Sequence, residues 1–214
     1  MPEPVTPAFE AALQDYLLRA LAISRGHAFV LFTSYDLLVR TYGMLRESMC
    51  NLGLTPMRQG EMNRHMLLNL FRKEKNAVLF GTDSFWEGVD VQGKNLEMVV
   101  ITRLPFRVPT EPIHQARAEH ITARGGDPFT EYTVPQAVIK FKQGFGRLIR
   151  SKDDRGVVLI LDSRVLSKNY GKSFLRSLPR AGTVTGGAGE ILSAMERFFG
   201  DMESSMPVSG TDLQ

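Results

Sequence analysis

His27-Ala28-Phe29-Val30-Leu31-Phe32-Thr33-Ser34 is a short apolar run that stops at two hydroxyl residues. A run this short, apolar at successive positions, suits a β-strand covered on both faces. Three similar runs follow: Ala77-Val78-Leu79-Phe80, breaking at Gly81; Glu97 to Thr102, built on Met98-Val99-Val100-Ile101; and Gly156-Val157-Val158-Leu159-Ile160-Leu161, stopping at Asp162. Leu54 to Arg58, after Gly53, is a weaker strand candidate. Between the runs, helical spacing extends from Asp36 to Met49 and from Glu61 to Lys73. Doubly apolar strands alternating with helices imply an α/β fold, doubly wound, with a mostly parallel sheet and helices on both faces. Ligands of such sheets bind beyond the carboxyl ends of the strands. That directs attention to Thr33-Ser34, to the loop from Gly81 to Gly93, to Arg103 through Pro112, and to Asp162-Ser163-Arg164.

Outward from the strands, Phe9, Leu13, Leu17, Leu18 and Leu21 have helical spacing, so residues 1–25 read as an amphipathic leading helix before a domain over 26–200. The Gly-rich stretch Thr183 to Gly189 reads as a linker to a last helix, Glu190 to Phe199, and the polar residues 201–214 as a disordered tail. With 43% hydrophobic and 23% charged residues among 214, the chain has a globular composition, which excludes disorder as a whole-chain description. No apolar run approaches the roughly 20 residues that span a bilayer. Met1-Pro2-Glu3-Pro4 lacks the basic and apolar regions of a secretory signal, and the cytoplasm is the expected compartment, with no membrane partner. Cys50 is the single cysteine, so neither an internal disulfide nor a cysteine-held zinc or iron–sulfur site is expected in this chain. His27, His65, His114 and His120 are too scattered to make a ligand motif, and no metal site is expected.

The net charge is only +3, but it is unevenly distributed. Lys140, Lys142, Arg147, Arg150, Lys152 and Arg155 face only Asp153 and Asp154 in one short stretch. Within it lies Gln143-Gly144-Phe145-Gly146-Arg147-Leu148-Ile149-Arg150. On a helix, Val134, Val138, Phe141, Phe145, Leu148 and Ile149 collect on one face, with Gln143, Arg147 and Arg150 opposite. A basic face of this kind is often no more than solvated surface. Two glycines inside it each cost on the order of 1 kcal/mol relative to Ala, which points to a group approaching the backbone closely. Guanidinium groups suit phosphate oxygens because they stay charged and offer a planar fork.

A second constellation, Gly81-Thr82-Asp83-Ser84-Phe85-Trp86-Glu87-Gly88-Val89-Asp90-Val91-Gln92-Gly93, follows a strand directly and holds the only tryptophan. An ordinary βα loop with Trp86 as a core plug is the plain alternative, but its place at a strand's carboxyl end favours ligand contact. Gly171-Lys172-Ser173 only imitates a phosphate-binding loop, because Leu166 stands where that motif requires glycine.

Val30-Leu31-Phe32-Thr33-Ser34-Tyr35, Ser84-Phe85-Trp86-Glu87-Gly88-Val89-Asp90, Leu104-Pro105-Phe106 with Pro109 and Pro112, and Gln143 through Arg150 occur in that order. Together they resemble helicase motifs IV, V and VI of the second RecA-like motor domain in the DinG family, superfamily 2 DNA helicases related to XPD. The similarity runs from about residue 27 to Pro179. It implies a RecA-like fold of the P-loop NTPase type and the C-terminal motor half of an ATP-dependent DNA helicase, with 5′→3′ movement. ATP and Mg2+ would lie between this domain and an N-terminal RecA-like domain of the same polypeptide, and single-stranded DNA would cross both.

By the same resemblance, Arg147 and Arg150 are candidate arginine fingers, stabilising charge that develops on the γ-phosphate. Gln143, Gly146, Glu87, Gly88 and Asp90 are candidates for the nucleotide side, and Thr33, Ser34, Thr82 and Ser84 for phosphates of the single strand. The phosphate loop, the DEAH-type box with the magnesium ligands, and the cysteines of an iron–sulfur cluster are missing here and belong to the family's first domain and its insertions. A fragment of a longer helicase, inactive by itself, is therefore the expectation. A stand-alone, non-catalytic nucleic-acid-binding or regulatory module on the same fold is the alternative.

Overall fold

A computed structural model of the chain describes residues 1–86, 96–106, 112–148 and 155–204. Five strands, β1 (Ala28–Leu31), β2 (Thr55–Arg58), β3 (Ala77–Gly81), β4 (Met98–Ile101) and β5 (Val157–Ile160), form a sheet in the order β2-β3-β1-β4-β5. Every pairing is parallel, and the first apolar run supplies the central strand, with Val30 opposite Phe80 on one side and Val100 on the other.

Alternation along the strands sorts the side chains into two cores. Ala28, Val30, Phe32, Val78, Phe80, Met98 and Val100 pack beneath α1 (Ala8–Ser24), α2 (Tyr35–Asn51) and α9 (Ala188–Ser204). Phe29, Leu31, Leu79, Val99 and Ile101 face α3 (Arg64–Lys73), α4 (Asp83–Trp86), α6 (Val134–Phe145) and α8 (Gly171–Arg176). Local chemistry starts the helices: Ser34 Oγ accepts from the Leu37 N–H and caps α2, and Asn63 Oδ1 accepts from the Met66 N–H and caps α3. Between β4 and α6 lie α5 (Pro112–Ala123) and a π-helical turn, Phe129–Thr133, on either side of the Gly125-Gly126 break. A one-turn helix, α7 (Arg164–Ser167), follows β5.

Several expectations need correction. Residues 156–161 are not covered on both faces: β5 is an edge strand, and Val157, Val158 and Ile160 are half-buried. In the leading helix, Phe9, Leu13, Leu17 and Leu21 are fully buried in the first core. The last helix runs on through Ser204, into residues read as tail. Motif VI is not one continuous helix, because α6 stops at Phe145 and residues 146–148 form a tight turn. There the Arg147 N–H reaches Gly144 O and the Leu148 N–H reaches Phe145 O. Gly171 opens α8 against the Val165 carbonyl, too close for any Cβ, which gives that glycine a packing role. Among the described residues no helix is long and apolar enough to cross a membrane, and no group of three or more His, Cys, Asp or Glu is placed to hold a metal.

Candidate functional site

Trp86, at the end of α4, ties three separate sequence blocks together. Its ring is fully buried, and its Nε1–H donates to the Phe32 carbonyl at 3.1 Å, just before Thr33 and Ser34. Gly144 lies against the same ring, and a Cβ there would stand 2.9 Å from Cε3 and Cζ3. The group that the motif VI glycine admits is therefore the domain's own tryptophan. Arg147 closes the set, its Nε–H donating to the Trp86 carbonyl at 3.2 Å. The Arg147 guanidinium is thus fixed to the last described residue of the loop that begins at Gly81.

Gln143, on α6 one turn before Arg147, holds its Oε1 buried with no hydrogen-bond partner among the described residues. An orphaned acceptor of this kind costs free energy unless a donor arrives. Gly146 is the exposed cap residue of α6. Lys140, which the charge of this stretch includes, is buried, with Nζ 5.9 Å from the Trp86 ring centre. Glu87, Gly88, Asp90 and Arg150 lie outside the described residues, as does the Ser84 side chain.

The carboxyl ends of β2, β3 and β1 stand side by side and carry Gln59, Thr82 and Thr33-Ser34 in that order. Thr33, Ser34 and Thr82 are half-buried. Ser34 uses a lone pair to cap α2, which leaves its hydroxyl hydrogen for another acceptor. Thr82 differs: its N–H and its hydroxyl both donate to Gln59 Oε1, each at 2.8 Å. Nothing in the sequence pattern singled out Gln59. The available signal was a polar residue followed by glycine at the end of a strand, and Gly60 indeed has φ +97°.

Across the sheet, Asp162 is buried at the end of β5 and accepts from the Leu104 N–H at 2.7 Å and from Arg164 through its backbone N–H, Nε and Nη2. This carboxylate raises the Arg164 pKa further, and Arg164 also lies over the Phe106 ring. Burial lowers the pKa of Arg103, which stacks on Phe9 with a buried Nε that lacks a partner among the described residues. The edge thus presents hydroxyl and amide groups at β1, β2 and β3, cations at β4 and β5, and Gln143 with Arg147 beside Trp86.

The profile of the helicase C-terminal domain family matches residues 17–181, most of the chain. The chain belongs to that family. This helicase C-terminal domain is 46% identical over 170 residues to the ATP-dependent DNA helicase YoaA of Haemophilus influenzae, a match covering 79% of the chain and 26% of that protein. It is 42% identical over 181 residues to YoaA of Escherichia coli, covering 85% and 28% respectively. It thus spans about a quarter of the length of these curated relatives. A solved XPD helicase superposes with a TM-score of 0.62 at 21% identity, over 82% of this chain and 32% of the other, which shows the shared RecA-like fold. The motifs that carried the resemblance to DinG and XPD helicases fall within the matched residues.

Proposed function

We propose that this domain is the second motor half of an ATP-dependent DNA helicase, moving 5′→3′, and that it works against an N-terminal RecA-like domain of the same polypeptide. The observation that carries the proposal is the Trp86 hub, which holds Arg147 at the motif V loop while its indole anchors the backbone leading to Thr33. Arg147 and Arg150 are the arginine fingers. They meet the γ-phosphate of ATP from the side opposite the phosphate loop and stabilise charge developing there. Gln143, Gly146, Glu87, Gly88 and Asp90 line the nucleotide, and the buried, unpartnered Gln143 amide oxygen fits a donor brought by that ligand. The edge carrying Thr33, Ser34, Thr82 and Ser84 holds single-stranded DNA by its phosphates, independently of base sequence.

Bound Mg2+ would shield charge on the phosphates, its ligands coming from the first motor domain, which would also carry any iron–sulfur cluster. The test compares ATP turnover by the intact protein carrying this domain, with and without single-stranded DNA, against turnover by residues 1–214 alone. Turnover stimulated by DNA in the intact protein and absent from the isolated chain is expected. Appreciable hydrolysis by rigorously pure isolated chain would overturn the division of labour.

A further inference from the structure

The geometry points to Gln59 as a phosphate-contacting residue of the carboxyl edge, with Thr82 acting through it and not by direct contact. The inference rests on the proposed single-stranded DNA path and names a residue for it that no motif marks.

Donor and acceptor accounting carries the first step. A backbone N–H can only donate, so the Gln59 atom that faces the Thr82 N–H must be the amide oxygen, and the side chain has one orientation. The Thr82 hydroxyl carries a single hydrogen, which is directed at that same oxygen. Both Thr82 donors are therefore engaged, and the hydroxyl shows only lone pairs outward. A phosphate diester oxygen accepts and cannot donate, so it gains no hydrogen bond from Thr82 while this pair stands.

The second step concerns the far end of the same amide. Gln59 Nε2 has two N–H groups and makes no hydrogen bond among the described residues, yet it is absent from the buried atoms that lack a partner. That nitrogen is therefore not fully enclosed, on a residue that is itself half-buried. The residue is pinned in place: its N–H donates to Phe80 O at 2.9 Å, and its carbonyl accepts from Arg58 Nη1 at 3.2 Å and from the Tyr35 hydroxyl at 3.4 Å. Its oxygen is locked by Thr82, so the amide nitrogen is a pre-oriented donor at the end of β2. Neighbouring parallel strands lie about 4.8 Å apart, so this donor, Thr82 and the Thr33-Ser34 hydroxyls make a row that a sugar–phosphate backbone can follow.

The test measures equilibrium binding of a labelled oligothymidylate to the intact protein at low salt, for the parent and for Gln59→Glu, Thr82→Val and Thr33→Glu. Glu at 59 keeps one oxygen for the Thr82 donors and places an anionic oxygen where the amide nitrogen was. Expected are a loss of about tenfold or more for Gln59→Glu, a smaller loss of about threefold for Thr82→Val, which removes one of the two donors that orient the Gln59 amide and keeps the backbone N–H, and a loss for Thr33→Glu. An oligonucleotide carrying one neutral methylphosphonate, scanned along the strand, should relieve the Gln59→Glu deficit at a single position. A merely structural defect would lower affinity equally at all positions and would overturn the contact. Should Gln59→Glu fail to fold, Gln59→Met, which removes the donors without adding charge, is expected to weaken binding about threefold and to lose sensitivity to methylphosphonate at that position. Strong weakening by Thr82→Val with none by Gln59→Glu would make Thr82 the donor and overturn the inference. Weakening by Thr33→Glu alone would remove Gln59 and leave the DNA path standing. If Thr33→Glu also leaves binding unchanged, the DNA path itself is wrong.

Discussion

Gly144 rests against the buried indole of Trp86 so closely that a Cβ would stand 2.9 Å from two ring atoms and 3.3 Å from Leu31 Cδ1. Two effects of Gly144→Ala oppose each other. Alanine favours the helix by up to about 1 kcal/mol, whereas forcing a methyl group into a filled core costs about 1–3 kcal/mol. The ring is fully buried and held by its bond to Phe32 O, so it cannot swing aside cheaply. Gly144→Ala is expected to destabilise the domain by about 1–2 kcal/mol in urea unfolding. An unchanged or raised midpoint would show that the contact relaxes at no cost.

Arg147 and Arg150 allow a functional prediction separable from stability. Arg147 is half-buried in the turn after α6 and bonded to Trp86 O, away from the filled core. In the intact protein, Arg147→Ala and Arg150→Ala are each expected to lower DNA-stimulated ATP turnover by about a thousandfold, the scale of a lost arginine finger, with the circular dichroism spectrum and unfolding midpoint little changed. Near-normal turnover in both variants would remove the finger assignment.

The sheet was legible because its strands are short apolar runs flanked by glycine or polar residues, and β2 was faint because an edge strand with Pro56 has less to bury. The end of α6 was not legible. Leu148 keeps the helical period and is buried, yet it reaches the core from a turn. Lys140 counts toward the basic stretch in sequence, and nothing local announces that it is buried with its Nζ near Trp86, 54 residues earlier. The glycine signal at 144 was correct about close approach and silent about what approaches. Gln59 escaped notice for a related reason, since its orientation depends on Thr82, which meets it only through the pairing of β2 with β3.

Asp162 allows a stability test on the other side of the sheet. Its carboxylate accepts from the buried Leu104 N–H and pairs with Arg164. Asp162→Ala leaves both without that partner, and breaking a buried pair from one side costs about 3–5 kcal/mol. Chemical denaturation is expected to show a loss in that range, with Asp162→Asn intermediate because its amide oxygen still serves Leu104. A loss below about 1 kcal/mol for the alanine variant would mean that water replaces the carboxylate.

Tyr42 yields a prediction in alkali. Burial, with the Glu61 carboxylate alongside, pushes its hydroxyl up to about 12, while that hydroxyl donates to Pro56 O at 3.2 Å. An unfolded tyrosine ionises near 10, so above that pH the unfolded chain releases a proton that the folded domain retains. The stability contributed by Tyr42 is therefore complete below about pH 10 and is lost as pH rises from there through about 12. An ultraviolet titration of the phenolate band is expected to contain a step near pH 12 from Tyr42, and Tyr42→Phe to delete that step. The same variant should lose about 1 kcal/mol at neutral pH through the abandoned Pro56 carbonyl, and its stability should fall less steeply than the parent's between pH 10 and 12. Parallel stability curves for the two proteins across that window would show that Tyr42 ionises equally easily in the folded and unfolded chain.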